Sequence, residues 1–152
     1  MSDDSRTILA VDPGREKSGI AVARCAKCAC GDEDSVRAVC QILFHGVLHT
    51  RDVPAKLLEL ANTYGADVVV LGNGTGSAHI ADSLASLGIA RVEIVDEHLT
   101  TMDARKRFFQ MNPPRGLGRI VPLSFQVPCR PYDDYVAIIL AERYLASGER
   151  NV

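Results

Sequence analysis

The first third of the chain alternates apolar runs with short polar breaks. One apolar run, at residues 8–14 (ILAVDPG), ends in an acid and a tight turn. A second apolar run begins at Gly19. Apolar runs bounded by turn residues are typical of buried strands. We therefore predict two paired strands at residues 6–12 and about 18–25. Residues 36–47 are rich in β-forming residues and predict a third strand, antiparallel to the second.

The rest of the chain changes to helical spacing interrupted by short apolar runs. Asp52 with Pro54 is a helix start signal, and Gly65 supplies a stop. Residues 68–71 (VVVL) are apolar throughout, as in a strand buried on both faces of a parallel sheet. A helix, a strand at about 91–95 and two more helices follow. This order predicts a single α/β domain over residues 1–152 with a mixed five-stranded sheet, three strands antiparallel and two parallel, flanked by helices.

The overall composition narrows the class of protein. With 152 residues, 47% hydrophobic and 24% charged, the chain is typical of a soluble globular domain. No apolar run reaches the roughly 18 residues of a membrane span, and the acidic start does not resemble a signal peptide. We therefore expect a cytoplasmic protein without a membrane partner. In that compartment its five cysteines are expected to be thiols or metal ligands rather than disulfides.

Positive charge is concentrated in one stretch. Residues 105–132 hold six basic side chains and no acid, whereas the other 124 residues hold 11 basic and 19 acidic ones. A local positive stretch in an acidic protein predicts a surface that binds a polyanion. The alternative is a solvated helix face followed by an Arg-rich loop. The candidate nucleic-acid-binding residues are Arg105, Lys106, Arg107, Arg115 and Arg119.

Prolines cluster immediately after the first of these cations. Residues 111–131 hold five of the seven prolines and two glycines, which predicts a long irregular loop. Loops of this length inside a compact domain are usually functional or disordered. In this chain we expect the loop to close over a bound substrate.

Acidic side chains recur at the ends of predicted elements. Asp12 ends the first strand, Asp96 and Glu97 end the last, and Asp133 and Asp134 begin the last helix. The ends of parallel strands share one edge of a sheet, where ligands usually bind. Carboxylates converging there would repel one another unless a divalent cation such as Mg²⁺ or Mn²⁺ neutralised them. A simpler interpretation is that Asp12 only begins a turn, because the sequence Asp-Pro-Gly also favours turns.

The order of elements and three motifs resemble the ribonuclease H-like superfamily, and within it the YqgF family. Proteins of that family are described as Holliday-junction-resolvase-like or as pre-16S ribosomal RNA processing nucleases. Residues 9–14 and 19–22 resemble the opening motif of the family. Residues 95–105 (VDEHLTTMDAR) resemble its Asp-Glu-Arg-Leu-Thr-Thr run, and residues 133–140 (DDYVAIIL) resemble its final acidic helix.

The resemblance implies a metal-dependent endonuclease that hydrolyses phosphodiester bonds in structured nucleic acid. Asp12, Glu97 and Asp133 would be the catalytic and metal-binding carboxylates, and Asp134 is a possible substitute for Asp133. Two such metal ions about 4 Å apart can activate a water molecule and stabilise the leaving oxygen. Asp133 shares a helical face with apolar residues and is predicted to lean toward the sheet. Asp134 is turned by about 100° and is predicted to be the exposed cap.

Two departures from the family pattern keep a second function open. Residues 72–77 (GNGTGS) replace a Pro-containing motif and resemble the YqgF-type domain of Tex, which is thought to bind nucleic acid without cutting it. His98 replaces the usual Arg. The candidate phosphate loop comprises Asn73, Gly74 and Thr75, although a tight structural turn is the alternative. The partner could be branched DNA or structured RNA, and the protein a monomer or a homodimer.

The cysteines suggest a separate hypothesis. Residues 25–35 are polar and acidic and predict a Cys-containing insertion in the second hairpin. A four-thiolate zinc site could join the second and third strands, since Cys25 and Cys28 have a suitable spacing, with free thiols as the alternative. The four candidate ligands are Cys25, Cys28, Cys30 and Cys40, and His45 or His49 could complete the site.

Overall fold

The computed structural model describes residues 5–29, 36–89, 91–96, 100–120, 122 and 133–147. The predicted metal ligand Glu97 and its neighbour His98 lie outside these ranges. So do the predicted zinc ligand Cys30, the side chain of Cys28, and residues 123–131 of the Pro-rich loop.

The sheet has five strands and mixed direction. They are β1 (Arg6–Asp12), β2 (Lys17–Ala29), β3 (Val36–His49), β4 (Val68–Gly72) and β5 (Val92–Val95). Their order across the sheet is β3-β2-β1-β4-β5. The strand β2 is antiparallel to both β1 and β3, whereas β4 is parallel to β1 and β5 is parallel to β4. The predicted mixed five-stranded sheet is therefore confirmed.

Four helices flank the sheet in the described part of the chain. They are α1 (Val53–Tyr64), α2 (Ser77–Ser86), α3 (Thr100–Met111) and α4 (Asp133–Ser147), with 3-10 turns at Thr50–Asp52 and Gly116–Arg119. The predicted boundaries of α1 are confirmed: Asp52 precedes the helix, and Gly65 ends it with a left-handed φ of 65°. Within the described ranges, no helix combines the length and the apolar character needed to cross a membrane.

Apolar side chains fill both faces of the sheet. Successive residues of a strand point to opposite faces, so a strand with no polar alternation must be covered on both sides. On one face, α3 and α4 cover a cluster that includes Ile8, Ala10, Ala21, Phe108, Ile138 and Leu140. On the other face, α1 and α2 cover a cluster that includes Leu9, Val11, Ile20, Leu57, Leu71 and Ile80.

The hairpin of β2 and β3 is longer than predicted. Residues 25–29 were expected in a loop, but they continue β2, and the ladder runs to the pair Ala29 and Val36. Cys25 and Cys40 are directly opposite in this ladder and form a disulfide. The expectation of free thiols is therefore wrong for this pair. The four-thiolate zinc site is also wrong as predicted, because two of its four sulfurs are bonded to each other.

Candidate functional site

Asp12 lies at the edge of the sheet where the parallel strands end. It is the last residue of β1, and its side chain is half-buried. Its parallel neighbour β4 ends at Gly72, and β5, which is parallel to β4, ends next to that residue at Val95. We call this edge, defined by Asp12, Gly72 and Val95, the carboxylate edge. A polar site at these carboxyl ends of the parallel strands stays a prediction.

Gly19 allows the start of α4 to reach this edge. Gly19 is paired with Asp12 across the ladder between β1 and β2. The backbone carbonyl of Asp133 lies so close to Gly19 that a Cβ atom at this position would overlap it. The first residue of the last helix is therefore held beside the last residue of the first strand. The backbones of two predicted metal ligands, 121 positions apart in the sequence, are brought to the same edge in this way.

The environment of Asp133 disfavours its negative charge. Burial raises the pKa of the half-buried Asp133 carboxyl, and the neighbouring Asp134 carboxylate raises it further. Lys17 and a backbone hydrogen bond act in the opposite direction but do not cancel this rise in the pKa. A cation placed at the carboxylate edge would therefore be favoured. Lys17 was missed by the sequence analysis, although its position two residues before Gly19 places it at the same edge.

Asp134 is the buried acid of the pair. Its side chain is 1% exposed, and its Oδ2 atom lies 2.6 Å from Nδ1 of His45 on β3. Its Oδ1 atom accepts a hydrogen bond from the backbone N–H of Tyr135 at 3.1 Å. The prediction that Asp134 is the exposed cap is wrong, because α4 packs across β2 and β3 and turns this residue toward His45. His45, which the sequence offered as a zinc ligand, is instead a partner of Asp134.

Aromatic packing extends this pair toward α3. The ring of Tyr135 lies 5.6 Å from that of His45 and 5.4 Å from that of Phe108, measured between centroids. Its hydroxyl accepts a hydrogen bond from Nδ2 of Asn112 at 3.1 Å, just beyond the end of α3. The first turn of α4 is thus connected to the strand β3 on one side and to the end of α3 on the other.

The glycine-rich segment at residues 72–77 forms a tight turn. Asn73 donates its backbone N–H to the carbonyl of Val95 at 3.1 Å and its side-chain N–H to Oδ1 of Asp96 at 3.3 Å. Gly76 has a left-handed φ of 93°, and a Cβ there would come within 3.4 Å of the Gly14 carbonyl. These contacts explain Gly76 structurally. A phosphate contact by Asn73, Gly74 and Thr75 stays a prediction.

The cations of the basic stretch divide into two groups. Nη2 of Arg107 lies 3.3 Å from Oε1 of Glu142 on α4, and Arg105 is also partly buried. Residues Lys106, Arg115 and Arg119 are exposed. Arg107 therefore takes part in packing α3 against α4. Nucleic-acid binding by the whole set stays a prediction, with the three exposed cations as its most accessible members.

The donor set suits an oxygen-coordinated cation. Asp12 and Asp133 are carboxylates at one edge, which are ligands that Mg²⁺ and Mn²⁺ prefer. No group of three or more His, Cys, Asp or Glu side chains that could hold a metal is found in the part of the chain described, which excludes Glu97. The chemistry of the two described carboxylates suits such an ion, and the site that they would form with Glu97 stays a prediction.

The fold is the ribonuclease H-like fold of RuvC. A structure of Thermus thermophilus RuvC matches with a TM-score of 0.59 and 12% identity, over 96% of this chain and 97% of that one. A structure of T. thermophilus RuvC in complex with a Holliday junction substrate matches with a TM-score of 0.51 and 12% identity, over 95% and 96%. No family model and no curated protein sequence matches the chain. The predicted ribonuclease H-like fold is therefore confirmed, whereas membership of the YqgF family stays a prediction.

Proposed function

We propose that this protein is a divalent-metal-dependent endonuclease that cleaves phosphodiester bonds in branched DNA. The observation that carries the proposal is the packing of the Asp133 backbone against Gly19, the cross-strand partner of Asp12, at the carboxylate edge. The fold shared with RuvC supports the same reaction class, since a RuvC structure holds a Holliday junction substrate. Processing of structured RNA, such as a pre-16S ribosomal RNA, is the alternative substrate within this class.

Each acid has its own role in this proposal. Asp12 and Asp133, with Glu97 as a third ligand, would hold Mg²⁺ or Mn²⁺. When bound, such an ion neutralises phosphate charge and makes water a stronger nucleophile at neutral pH. Asp133 suits this role because burial and Asp134 raise its pKa, so a nearby cation relieves an unfavourable charge. Asp134 acts differently: it holds His45 and so fixes the start of α4.

The exposed cations would position the substrate. Lys106, on α3, and Arg115 and Arg119, just after it, are exposed to solvent. Contacts to phosphates fix the register and orientation of a nucleic acid but carry no sequence information. We therefore expect the protein to select its substrate by shape rather than by base sequence.

The test of this proposal is cleavage of a labelled four-way DNA junction, with a linear duplex and a structured RNA in parallel. The wild type is compared with Asp12→Asn and with Asp82→Asn, a matched control at an exposed position of α2. We expect cleavage that requires Mg²⁺ or Mn²⁺ and is retained in the control. It should fall by more than about 100-fold in Asp12→Asn, because even outer partners of metal ligands contribute 10–100-fold. Equal cleavage by all three proteins would contradict the proposal.

The glycine-rich turn favours a second candidate function. Residues 72–77 replace the expected Pro-containing motif and pack tightly, with Gly76 against the Gly14 carbonyl. The sequence of this segment resembles that of a YqgF-type domain thought to bind nucleic acid without turnover. If both the wild type and Asp12→Asn bound the four-way DNA junction tightly and neither cut it at any metal concentration, this function would be favoured over the nuclease.

A further inference from the structure

We propose that a recess beside the carboxylate edge is a second phosphate-binding site, which holds a backbone phosphate of the nucleic acid substrate. The recess has a volume of about 310 Å³ and is lined by Arg15, Glu16, His49 and Arg51. None of these residues belongs to the basic stretch at residues 105–132. The inference rests on the proposed function and adds a contact surface to it.

The strand register places this recess next to the candidate metal ligands. The turn after Asp12 carries Arg15 and leads into β2, whose first residue, Lys17, is opposite His49 at the end of β3. The recess is therefore on the β3 side of Asp12. The helix α3, which carries the first cations of the basic stretch, instead follows β5 in the chain. In the sheet, β5 lies on the other side of β1. A nucleic acid held at Asp12 could thus be contacted from both sides.

Hydroxyl hydrogen bonds hold the backbone of the recess in place. Thr50 donates its backbone N–H to the Glu16 carbonyl and its hydroxyl to the Gly14 carbonyl, each at 2.9 Å. The fully buried Ser18 donates its hydroxyl to Oγ1 of Thr50 at 2.9 Å and accepts the Gly14 N–H at 3.2 Å. A Cβ at Gly14 would overlap the Lys17 carbonyl. Because the turn is fixed before binding, little backbone ordering opposes the capture of a phosphate.

The charges of the recess are mixed but favour an anion. Arg15 and Arg51 present guanidinium groups, whose donors match phosphate oxygens in pairs. Nε of Arg51 lies 3.8 Å from Oδ1 of Asp52, and both side chains are largely exposed, so this pair is a weak competitor for a phosphate. Glu16 is the acid of the lining and opposes anion binding. Its presence gives the proposal a second, opposite prediction: removal of this charge should strengthen binding.

The experiment measures binding of a four-way DNA junction without added divalent metal, so that cleavage does not interfere. The recess variant is Arg15→Gln/Arg51→Gln. The matched control is Arg6→Gln/Arg24→Gln, which removes two exposed cations at the opposite end of the β1–β2 ladder. Binding constants are measured over a salt series for both variants, for Glu16→Gln and for the wild type.

We expect the recess variant to bind about eightfold more weakly at 0.1 M salt for each phosphate that it no longer neutralises, with a salt slope shallower by about 0.9 per phosphate. The control should bind like the wild type, and Glu16→Gln should bind more tightly. Equal affinity and slope in the two double variants would overturn the recess as a phosphate site. Junction binding by the wild type and metal-dependent cleavage would then still support the proposed function. A wild type that binds no junction at all would instead contradict the proposed function, and the recess with it.

Discussion

Nδ1 of His45 lies 2.6 Å from Oδ2 of Asp134, a carboxylate that is only 1% exposed. This hydrogen bond joins β3 to the first turn of α4. A buried carboxylate is unfavourable unless it has hydrogen-bond partners, and here the imidazole and the Tyr135 N–H supply two. The pair therefore fixes the start of α4, and with it Asp133, beside Gly19 at the carboxylate edge.

The first prediction concerns this pair. His45→Ala should lower the free energy of unfolding by about 1–3 kcal/mol, because it removes a partner of a buried acceptor. Urea unfolding of the purified protein measures the change. His49→Ala, an exposed residue of the same strand, is the control and should change stability by less than about 0.5 kcal/mol. Equal stability of the two variants would show that the pair does not hold α4.

The second prediction concerns the pKa of Asp133. The folded-state pKa is raised above the ordinary value of 3.8, so the folded protein binds this proton more tightly than the unfolded chain does. The stability gained from protonating Asp133 is therefore fully present below pH 3.8. It is lost as the pH rises through the raised pKa of the folded state. At pH 7 Asp133→Asn should melt at a higher temperature than the wild type, and this gain should disappear in acid.

Thermal melts of wild type and variant across this pH range measure the effect. Added Mg²⁺ should raise the melting temperature of the wild type more than that of Asp133→Asn, because the variant lacks one metal-binding carboxylate. A variant that is no more stable than the wild type at pH 7 would contradict the electrostatic account of this residue.

The third prediction tests the close approach at Gly19. Gly19→Ala adds a methyl group where the Asp133 carbonyl lies, so α4 must move away from the sheet. We expect a decrease of about 1–3 kcal/mol in stability, as in other overpacked sites, together with a loss of cleavage. Gly46→Ala is the matched control in the neighbouring strand, since a Cβ there would lie 3.7 Å from Phe44, an ordinary contact. The account would be wrong if both substitutions had the same effect on unfolding and on cleavage.

The fourth prediction separates the two groups of cations in the basic stretch. Lys106→Gln/Arg119→Gln should weaken junction binding and flatten its salt dependence without changing stability, because both side chains are exposed. Arg107→Gln removes the ion pair with Glu142 and should lower stability by less than about 1 kcal/mol. Salt-dependent binding and urea unfolding of both variants distinguish these roles. Unchanged binding in the Lys106 and Arg119 variant would remove the basic stretch from the nucleic-acid surface.

Much of the fold could be predicted from local patterns. The apolar runs at residues 8–11 and 68–71 mark strands buried on both faces, and the Pro and Gly residues around α1 mark its two ends. The extension of β2 through residues 25–29 could not be predicted in this way. That segment (CAKCA) has no alternating pattern typical of a strand, and it is a strand because it pairs with residues 36–40 across the hairpin. The Cys25–Cys40 disulfide depends on the same pairing.

The candidate site was only partly predictable for a similar reason. Asp12 could be found because it directly follows a buried apolar run. The burial of Asp134 depends on how α4 crosses β3, which no local pattern specifies, and the helical-face argument favoured the wrong residue as the exposed one. Lys17 and the lining of the recess come together only because β2 begins, and β3 ends, at the edge where β1 ends.

The most direct test of the account is a comparison of single-turnover cleavage of a four-way DNA junction by Asp133→Asn and Asp134→Asn across a Mn²⁺ series. Both substitutions replace an aspartate with asparagine at neighbouring positions, so they change the net charge equally. The account predicts that Asp133→Asn abolishes metal-dependent cleavage, as Asp12→Asn does, whereas Asp134→Asn is less stable but still cuts below its melting temperature. Cleavage retained in Asp133→Asn and abolished in folded Asp134→Asn would contradict the assignment of Asp133 to the metal site.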